Sequence, residues 1–109
     1  METGHLYQNI PAKLPAELTE CLLQAGGLRI EKIVSRGHCS DAGFWYEQAQ
    51  AEWVLLLKGE ACLRFREGDR IVHLTEGMYL NIPAHEAHRV EWTSATEDSI
   101  WLAVFYAVS

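Results

Sequence analysis

The sequence predicts an all-β sandwich or barrel with one short helix near the amino terminus. From Leu28 onward, short apolar or alternating segments recur, and each has the length and period of a β-strand. Turn signals such as Lys58-Gly59 and Gly68-Asp69 separate several of these segments. Many short strands with frequent turn signals are typical of closed all-β architectures.

The first 27 residues are predicted to form an arm and a helix, followed by a barrel over residues 28–109, within a single domain. Residues 1–14 have mixed polarity and suit an extended arm. Pro15 suits the first turn of a helix, and Gly26-Gly27 suits its end. Between them, apolar residues recur at helical spacing, at Leu18, Cys21, Leu22 and Ala25.

The barrel is predicted to contain eight strands. They span residues 28–34, 44–48, 52–57, 60–66, 70–74, 78–82, 88–93 and 99–106. Lys58-Gly59 and Gly68-Asp69 each predict a hairpin between the strands beside them. Segments 53–57 and 100–105 are apolar on both faces, so each needs a cover on its outer side as well as a core inside. The helix can cover one, and a second copy of the chain is the simplest cover for the other, which predicts a homodimer.

Composition narrows the class of partner. The chain has 109 residues, 49% of them hydrophobic, and a formal net charge of -6. The negative charge argues against nucleic acid and against an acidic membrane surface. The first five residues show no signal peptide, and no stretch approaches membrane-spanning length. Cys21, Cys39 and Cys62 are odd in number and lack C-x-x-C spacing, which suits reduced thiols, so a cytoplasmic protein is expected.

One loop contains two histidines. Pro83 ends a short apolar strand, His85 and His88 follow in a tight loop, and the next strand begins at His88. A histidine at such a corner can be a metal ligand or an acid/base group. The alternative is that both are ordinary surface or capping residues.

The spacing around this loop resembles the second motif of the cupin family, G-x5-P-x-G-x2-H-x3-N. Gly77 is followed after five residues by Pro83 and then by His88. Glu52, followed after six residues by Gly59, resembles the end of the first motif, G-x5-H-x-H-x3,4-E-x6-G. The resemblance to a small single-domain cupin, of the cupin 2 conserved-barrel type, extends from about residue 30 to residue 106. It implies a double-stranded β-helix, that is, a jelly-roll barrel.

The first motif is degenerate in this chain. Its two histidine positions fall on Tyr46 and Gln48, while His85 stands where the second motif has glycine and Trp92 replaces its final asparagine. The resemblance implies a metal set of Gln48, Glu52 and His88, with His85 as an added candidate. It also makes Tyr46 and His85 the candidate catalytic acid/base residues.

The chemistry of this set leaves two functions open. A buried Glu52 needs a partner, which is a metal, a protonated His88 or an arginine such as Arg89. An imidazole and a carboxylate are good ligands for zinc, iron, manganese or nickel, whereas an amide and a phenol are poor ones. The missing histidines favour a barrel that binds a small organic ligand without chemistry. The two histidines in one loop favour a metal-dependent enzyme of dioxygenase or isomerase type.

Overall fold

Residues 1–108, which the computed structural model describes, form eight β-strands and one short 3-10 turn at Glu67–Asp69. The strands are β1 (Leu18–Ala25), β2 (Leu28–Ser35), β3 (Ala51–Lys58), β4 (Glu60–Phe65), β5 (Arg70–Thr75), β6 (Tyr79–Ile82), β7 (His88–Thr93) and β8 (Ser99–Tyr106). Within these residues, no helix has the length and apolarity that crossing a bilayer requires.

Two antiparallel sheets face each other. The larger has the strand order β1-β2-β8-β3-β6, and the smaller has the order β5-β4-β7. The order mixes strands that are distant in sequence, as in a jelly roll, because β8 lies between β2 and β3. The predicted all-β, cupin-type double-sheet barrel is confirmed.

The hydrophobic core fills the space between the sheets. Along β4 the side chains alternate, so that Ala61, Leu63 and Phe65 are buried between less buried neighbours. They pack against inward residues of the larger sheet, among them Val54, Leu56, Trp101, Ala103 and Phe105. The core therefore joins the two sheets, and Val54, Leu63, Trp101 and Phe105 from it also line a cavity.

The predicted amino-terminal helix is wrong, because its residues form the edge strand β1. This strand pairs with β2 from Leu18 opposite Val34 to Ala25 opposite Leu28, and Gly26-Gly27 is the two-residue hairpin loop between them. A bulge between Cys21 and Leu23 interrupts the alternation of β1. That interruption gave the apolar residues a spacing close to that of a helix.

Two consequences follow from this strand. The sheet begins at Leu18, so residues 18–25 of the segment predicted as an arm with a helix belong to the larger sheet. Cys21, expected on a buried helical stripe, is exposed on β1.

The hairpin predicted at Lys58-Gly59 is also wrong, because β3 and β4 belong to different sheets. Gly59 has φ +95°, and a Cβ there would lie 2.5 Å from Ser99 Oγ and 2.6 Å from Ser99 Cα. The chain therefore turns a tight corner from one sheet to the other. The second predicted hairpin is confirmed, since β4 and β5 pair around Gly68.

Residues 44–48 do not form the predicted strand. Only Tyr46 pairs, in an isolated antiparallel bridge with His88. The Tyr46 N–H donates to the His88 carbonyl at 2.7 Å, and the His88 N–H donates to the Tyr46 carbonyl at 3.0 Å. This bridge fixes Tyr46 beside His88.

The amino-terminal arm lies against the outer face of the larger sheet. Lys32 is 3% exposed, and its Nζ donates to the carbonyl of Gln8 at 2.9 Å. Arg36 Nη1 donates to the carbonyl of Ala12 at 3.0 Å. Two cations from the sheet region thus hold the arm through its backbone.

Candidate functional site

A cavity of about 240 Å³ lies between the sheets. Its apolar walls come from Ile33, Val54, Leu63, Ile82, Val90, Trp101 and Phe105. Its polar lining comes from Glu17, Thr19, Arg29, Glu31, Tyr46, Gln48, Glu52 and His88. Hydrocarbon walls with a few converging polar groups are typical of a small-molecule site.

Alternation along β3 places Glu52 inside the barrel. Residues two apart on a strand share a face, so Glu52 points inward with Val54 and Leu56. Its side chain is 12% exposed, and that of His88, the first residue of β7, is 7% exposed. A carboxylate this deeply buried needs a compensating partner.

His88 is that partner. His88 Nε2 lies 3.4 Å from Glu52 Oε1, and Gln48 Nε2 donates to the same oxygen at 3.3 Å. On the other side of the ring, His88 Nδ1 lies 2.9 Å from the carbonyl oxygen of Glu86. Because a carbonyl only accepts, Nδ1 carries a proton, and Nε2 is the atom that titrates toward Glu52.

The contact between Glu52 and His88 shifts the protonation equilibrium of the His88 imidazole. Burial alone would lower the pKa of His88, but the contact with Glu52, the hydrogen bond to the Glu86 carbonyl and the nearby negative charge outweigh it. The net result is a pKa of His88 above its ordinary value. The contact with Glu52 therefore favours the protonated form of the His88 imidazole.

Tyr46 lies at the mouth of the cavity. Its ring stacks on that of His88 with centroids 5.7 Å apart, and it meets Phe44 edge-on at 4.8 Å. Burial, followed by the negative charges of Glu17, Glu52 and Asp41, raises the pKa of the Tyr46 phenol. The phenol therefore stays protonated and is available as a hydrogen-bond donor.

A second ion pair lies on the β2 side of the cavity. Arg29 Nε donates to Glu31 Oε2 at 2.8 Å, and the guanidinium carbon lies 4.3 Å from the centroid of the Phe105 ring. Sequence reasoning missed both residues, although their spacing of two on an alternating strand was a signal that they share a face. It also missed Glu17, which lies in the segment predicted to be a helix.

The structure brings together most of the residues implied by the resemblance. Tyr46, Gln48, Glu52 and His88 all line the cavity. His85 does not line it: the residue is exposed, at φ 66°, with its backbone N–H donating to the Gln48 carbonyl. Neither the added ligand nor the acid/base role of His85 is supported by this placement.

Arg89, the other predicted partner of Glu52, faces away from it. Its Nη2 donates to the carbonyl of Ser40 at 2.9 Å, beneath the loop that precedes Tyr46. Of the three partners considered for Glu52, the structure therefore supports His88.

The donor set does not fit a resident divalent metal. Among residues 1–108, no group of three or more His, Cys, Asp or Glu side chains is arranged to hold an ion. Glu52 and His88 are only two strong donors, Gln48 directs its amide nitrogen at Glu52, and Tyr46 stays protonated. Catalytic zinc sites use three protein ligands, so the predicted set of Gln48, Glu52 and His88 is short of donors.

Comparisons with known proteins agree with this architecture. No family model matches the chain, and no curated protein matches it in sequence. A candidate mannose-6-phosphate isomerase from Ralstonia eutropha JMP134 is 37% identical, with a TM-score of 0.94 over 99% of this chain and 100% of that one.

Two more distant structures share the fold alone. A cupin superfamily protein from Desulfitobacterium hafniense DCB-2 has 22% identity and a TM-score of 0.74, over 91% of this chain and 84% of that one. The polyketide cyclase RemF from Streptomyces resistomycificus has 15% identity and a TM-score of 0.77, over 99% of this chain and 80% of that one. Taken with the jelly-roll strand order and the spacing of Glu52, Gly59, Gly77, Pro83 and His88, these likenesses make the chain a member of the cupin superfamily.

Proposed function

We propose that this cupin binds a small organic ligand in the cavity between its sheets. The observation that supports the proposal is a cavity of about 240 Å³ with apolar walls and one buried imidazole–carboxylate pair. Sites for drug-sized molecules measure about 300 to 1,000 Å³, so the ligand is smaller than these. Apolar residues of equal volume are often as stable as a buried ion pair. The burial of the Glu52–His88 pair is therefore in keeping with a role in ligand binding and not in stability alone.

The lining defines which ligand groups suit the cavity. The Tyr46 phenol can donate a hydrogen bond, and the Glu52 carboxylate, which is paired with His88, can accept one. Trp101 and Phe105 provide flat apolar surface opposite them. A compact molecule with an apolar body and one or two hydrogen-bonding groups satisfies both parts of the site.

Protein-detected NMR tests this proposal. Small organic probes titrated into the labelled protein should shift the indole N–H signal of Trp101, which lines the cavity, and spare that of Trp92, which is 44% exposed and lies outside it. His88→Gln should weaken the binding, and His73→Gln, a histidine on the exposed side of β5, should leave it unchanged. Binding that shifts only Trp92, or that ignores His88→Gln, would contradict the proposal.

A second candidate function is proton-transfer catalysis of isomerase type. The specific observation is the buried His88 imidazole, whose raised pKa and contact with Glu52 suit it to hold and release a proton inside the cavity. The relatives named for an isomerase and for a cyclase are in keeping with such chemistry. Dioxygenase chemistry, the other predicted type, needs metal ligands that these residues do not supply.

Deuterium exchange separates the two functions. If His88 transfers protons, a bound carbonyl compound with an acidic α-hydrogen should take up deuterium from D₂O, and His88→Gln should abolish the uptake. Binding without exchange supports the binding module instead.

A homodimer is also proposed, and the outer face of the larger sheet supports it. The register places Ile30, Val104 and Trp53 in one row across three strands, and Leu102 beside Leu55 in the next. All are half-buried, and the helix expected to cover part of this face does not exist. Because β3 and β8 lack the helix as an outer cover, we propose a second copy of the chain as the partner.

A cytoplasmic location is also proposed. Cys21 and Cys39 are free and exposed, and Cys62 is free and half-buried. Exposed free thiols suit a reducing compartment. Fractionation of cells producing the protein would test the location.

A further inference from the structure

We propose that the cavity selects a ligand with a protonated amine over one with a carboxylate or phosphate, and that Glu17 is the residue that sets this preference. The inference rests on the ligand-binding proposal and adds the chemical class of the ligand. It comes from the balance of charges that line the cavity and from the position of the one carboxylate left over.

The charges of the lining do not cancel. Three carboxylates, Glu17, Glu31 and Glu52, face two cationic groups, Arg29 and His88. Two ion pairs form, Arg29 with Glu31 at 2.8 Å and His88 with Glu52 at 3.4 Å. The carboxylate of Glu17 remains without a cation: among residues 1–108, no Lys, Arg or His lies within ion-pair distance of it.

Glu17 is nevertheless held in place. Ser35 is fully buried on β2, and its Oγ donates to Glu17 Oε2 at 3.0 Å. That bond fixes one carboxylate oxygen and leaves the acceptor capacity of the other free. Glu17 also lines a groove that adjoins the cavity and shares Tyr46 and Val90 with it, so its charge lies at the entrance.

An anionic ligand would find no free cation. Arg29 is the one arginine among the described residues that line the cavity, and both Glu31 and the ring of Phe105 already engage it. His88 is engaged by Glu52. A phosphate or carboxylate would have to break one of these pairs and would add a charge of the same sign as Glu17. The chain therefore departs from what the name of its Ralstonia relative would suggest, a sugar phosphate.

Three probes of one size test the preference: cyclohexylamine, cyclohexanol and cyclohexanecarboxylate. Each is titrated at neutral pH into the labelled protein while the Trp101 indole signal is followed. We expect the amine to bind about two- to fivefold more tightly than the alcohol, the ratio expected from one ion pair with the exposed Glu17, and the carboxylate to bind more weakly than both.

The variant Glu17→Gln should remove the advantage of the amine over the alcohol. Glu47→Gln makes the same change of charge at an exposed residue that pairs with Arg66 outside the cavity, and it should leave the order of the probes intact. Because the alcohol reports on the cavity itself, a misfolded variant would reveal itself by losing that signal.

The outcomes separate the two proposals. If the alcohol shifts Trp101 but the amine binds no better, or if the carboxylate or inorganic phosphate binds as tightly as the amine, the preference is refuted and ligand binding stands. If none of the probes shifts Trp101, the ligand-binding proposal is refuted together with this inference.

Discussion

Replacing Glu52 with glutamine should destabilise the protein at pH 6 far more than at pH 8.5. The change removes the charge opposite His88 Nε2 and keeps the volume of the side chain. At 3.4 Å and an effective dielectric constant of about 20, the attraction is about 5 kcal/mol before desolvation. Desolvation offsets much of this, and a hydrogen bond to a charged group contributes a net ~2 kcal/mol, which is the loss expected at pH 6.

The pH dependence follows from the direction of the pKa shift. The folded pKa of His88 is raised above its unfolded value of about 6.5, so its stabilising contribution is fully present below that value. The contribution is lost as the pH rises through the folded pKa of His88. In Glu52→Gln the burial and the hydrogen bond to the Glu86 carbonyl remain without the Glu52 carboxylate, so the pKa of His88 should fall and the loss of stability at pH 8.5 should be small.

Urea unfolding at the two pH values measures the effect, and an NMR titration of the His88 ring measures its pKa directly. Glu47→Gln is the matched control, because it removes a carboxylate from an exposed pair and should cost about 0.5 kcal/mol or less at either pH. Equal destabilisation of Glu52→Gln at both pH values, or an unchanged pKa of His88, would refute the reasoning.

Three further predictions concern the corner, the metal and the dimer. Gly59→Ala should lower the free energy of unfolding by about 3 kcal/mol or more, on the order of a severe backbone clash. Gly77 has φ +86° and nothing within 4 Å of an added Cβ, so Gly77→Ala should cost only about 1 kcal/mol. Equal losses in urea unfolding would contradict the close approach at Gly59. The Tm of the parent chain should not change on addition of zinc, manganese, nickel or ferrous ion. The double variant Tyr46→His, Gln48→His should gain a zinc-dependent rise in Tm, because it supplies the missing imidazoles. A rise in the Tm of the parent chain would show that its donor set is sufficient. Light scattering should give twice the mass of the chain, and Val104→Glu should give the single mass with circular dichroism preserved; a single mass for the parent chain would exclude the dimer.

Most of the barrel could be predicted from local pattern. Strands β7 and β8 have the predicted bounds, 88–93 and 99–106. Pro83 ends the strand before β7, and β8 follows a mostly polar segment at 94–98 and is apolar over residues 100–105. Strand β1 could not be found in this way, since its bulge replaced a period of two by one close to that of a helix.

The pairing of strands was harder to predict than their positions. Lys58-Gly59 has the local sequence of a hairpin, but the close approach of Gly59 to Ser99 directs the chain into the other sheet. Ser99 is distant in sequence, so no local signal contains this information. Which sheet a strand joins after a turn is decided by such long-range contacts and not by the turn alone.

The site was predicted in part. The motif spacing located Tyr46, Gln48, Glu52 and His88, but Arg29 and Glu31 were missed because alternation gives two faces of a strand without saying which is inside. On β2 the apolar Ile30 faces outward and the charged pair faces the cavity, in line with its pairing to Val104 on the outer side. The charged pair on the inner face of β2, behind an apolar outer face, reverses the usual assignment.

The degenerate motif explains why the centre of the cavity is an ion pair. At the positions where the family motif has two histidines, Tyr46 and Gln48 supply a protonated phenol and a neutral amide, neither of which neutralises the charge of Glu52. The carboxylate is still buried, so its charge must be balanced by the one imidazole that remains, and the raised pKa of His88 is the result. Because the Glu86 carbonyl fixes the proton on Nδ1, any proton exchanged with a ligand passes through Nε2, the atom that faces both Glu52 and the cavity. Because Tyr46 and Gln48 stand at the two histidine positions of the motif, the cavity is short of metal donors. For the same reason Glu52 pairs with His88, and this ion pair is the polar group that a ligand would contact.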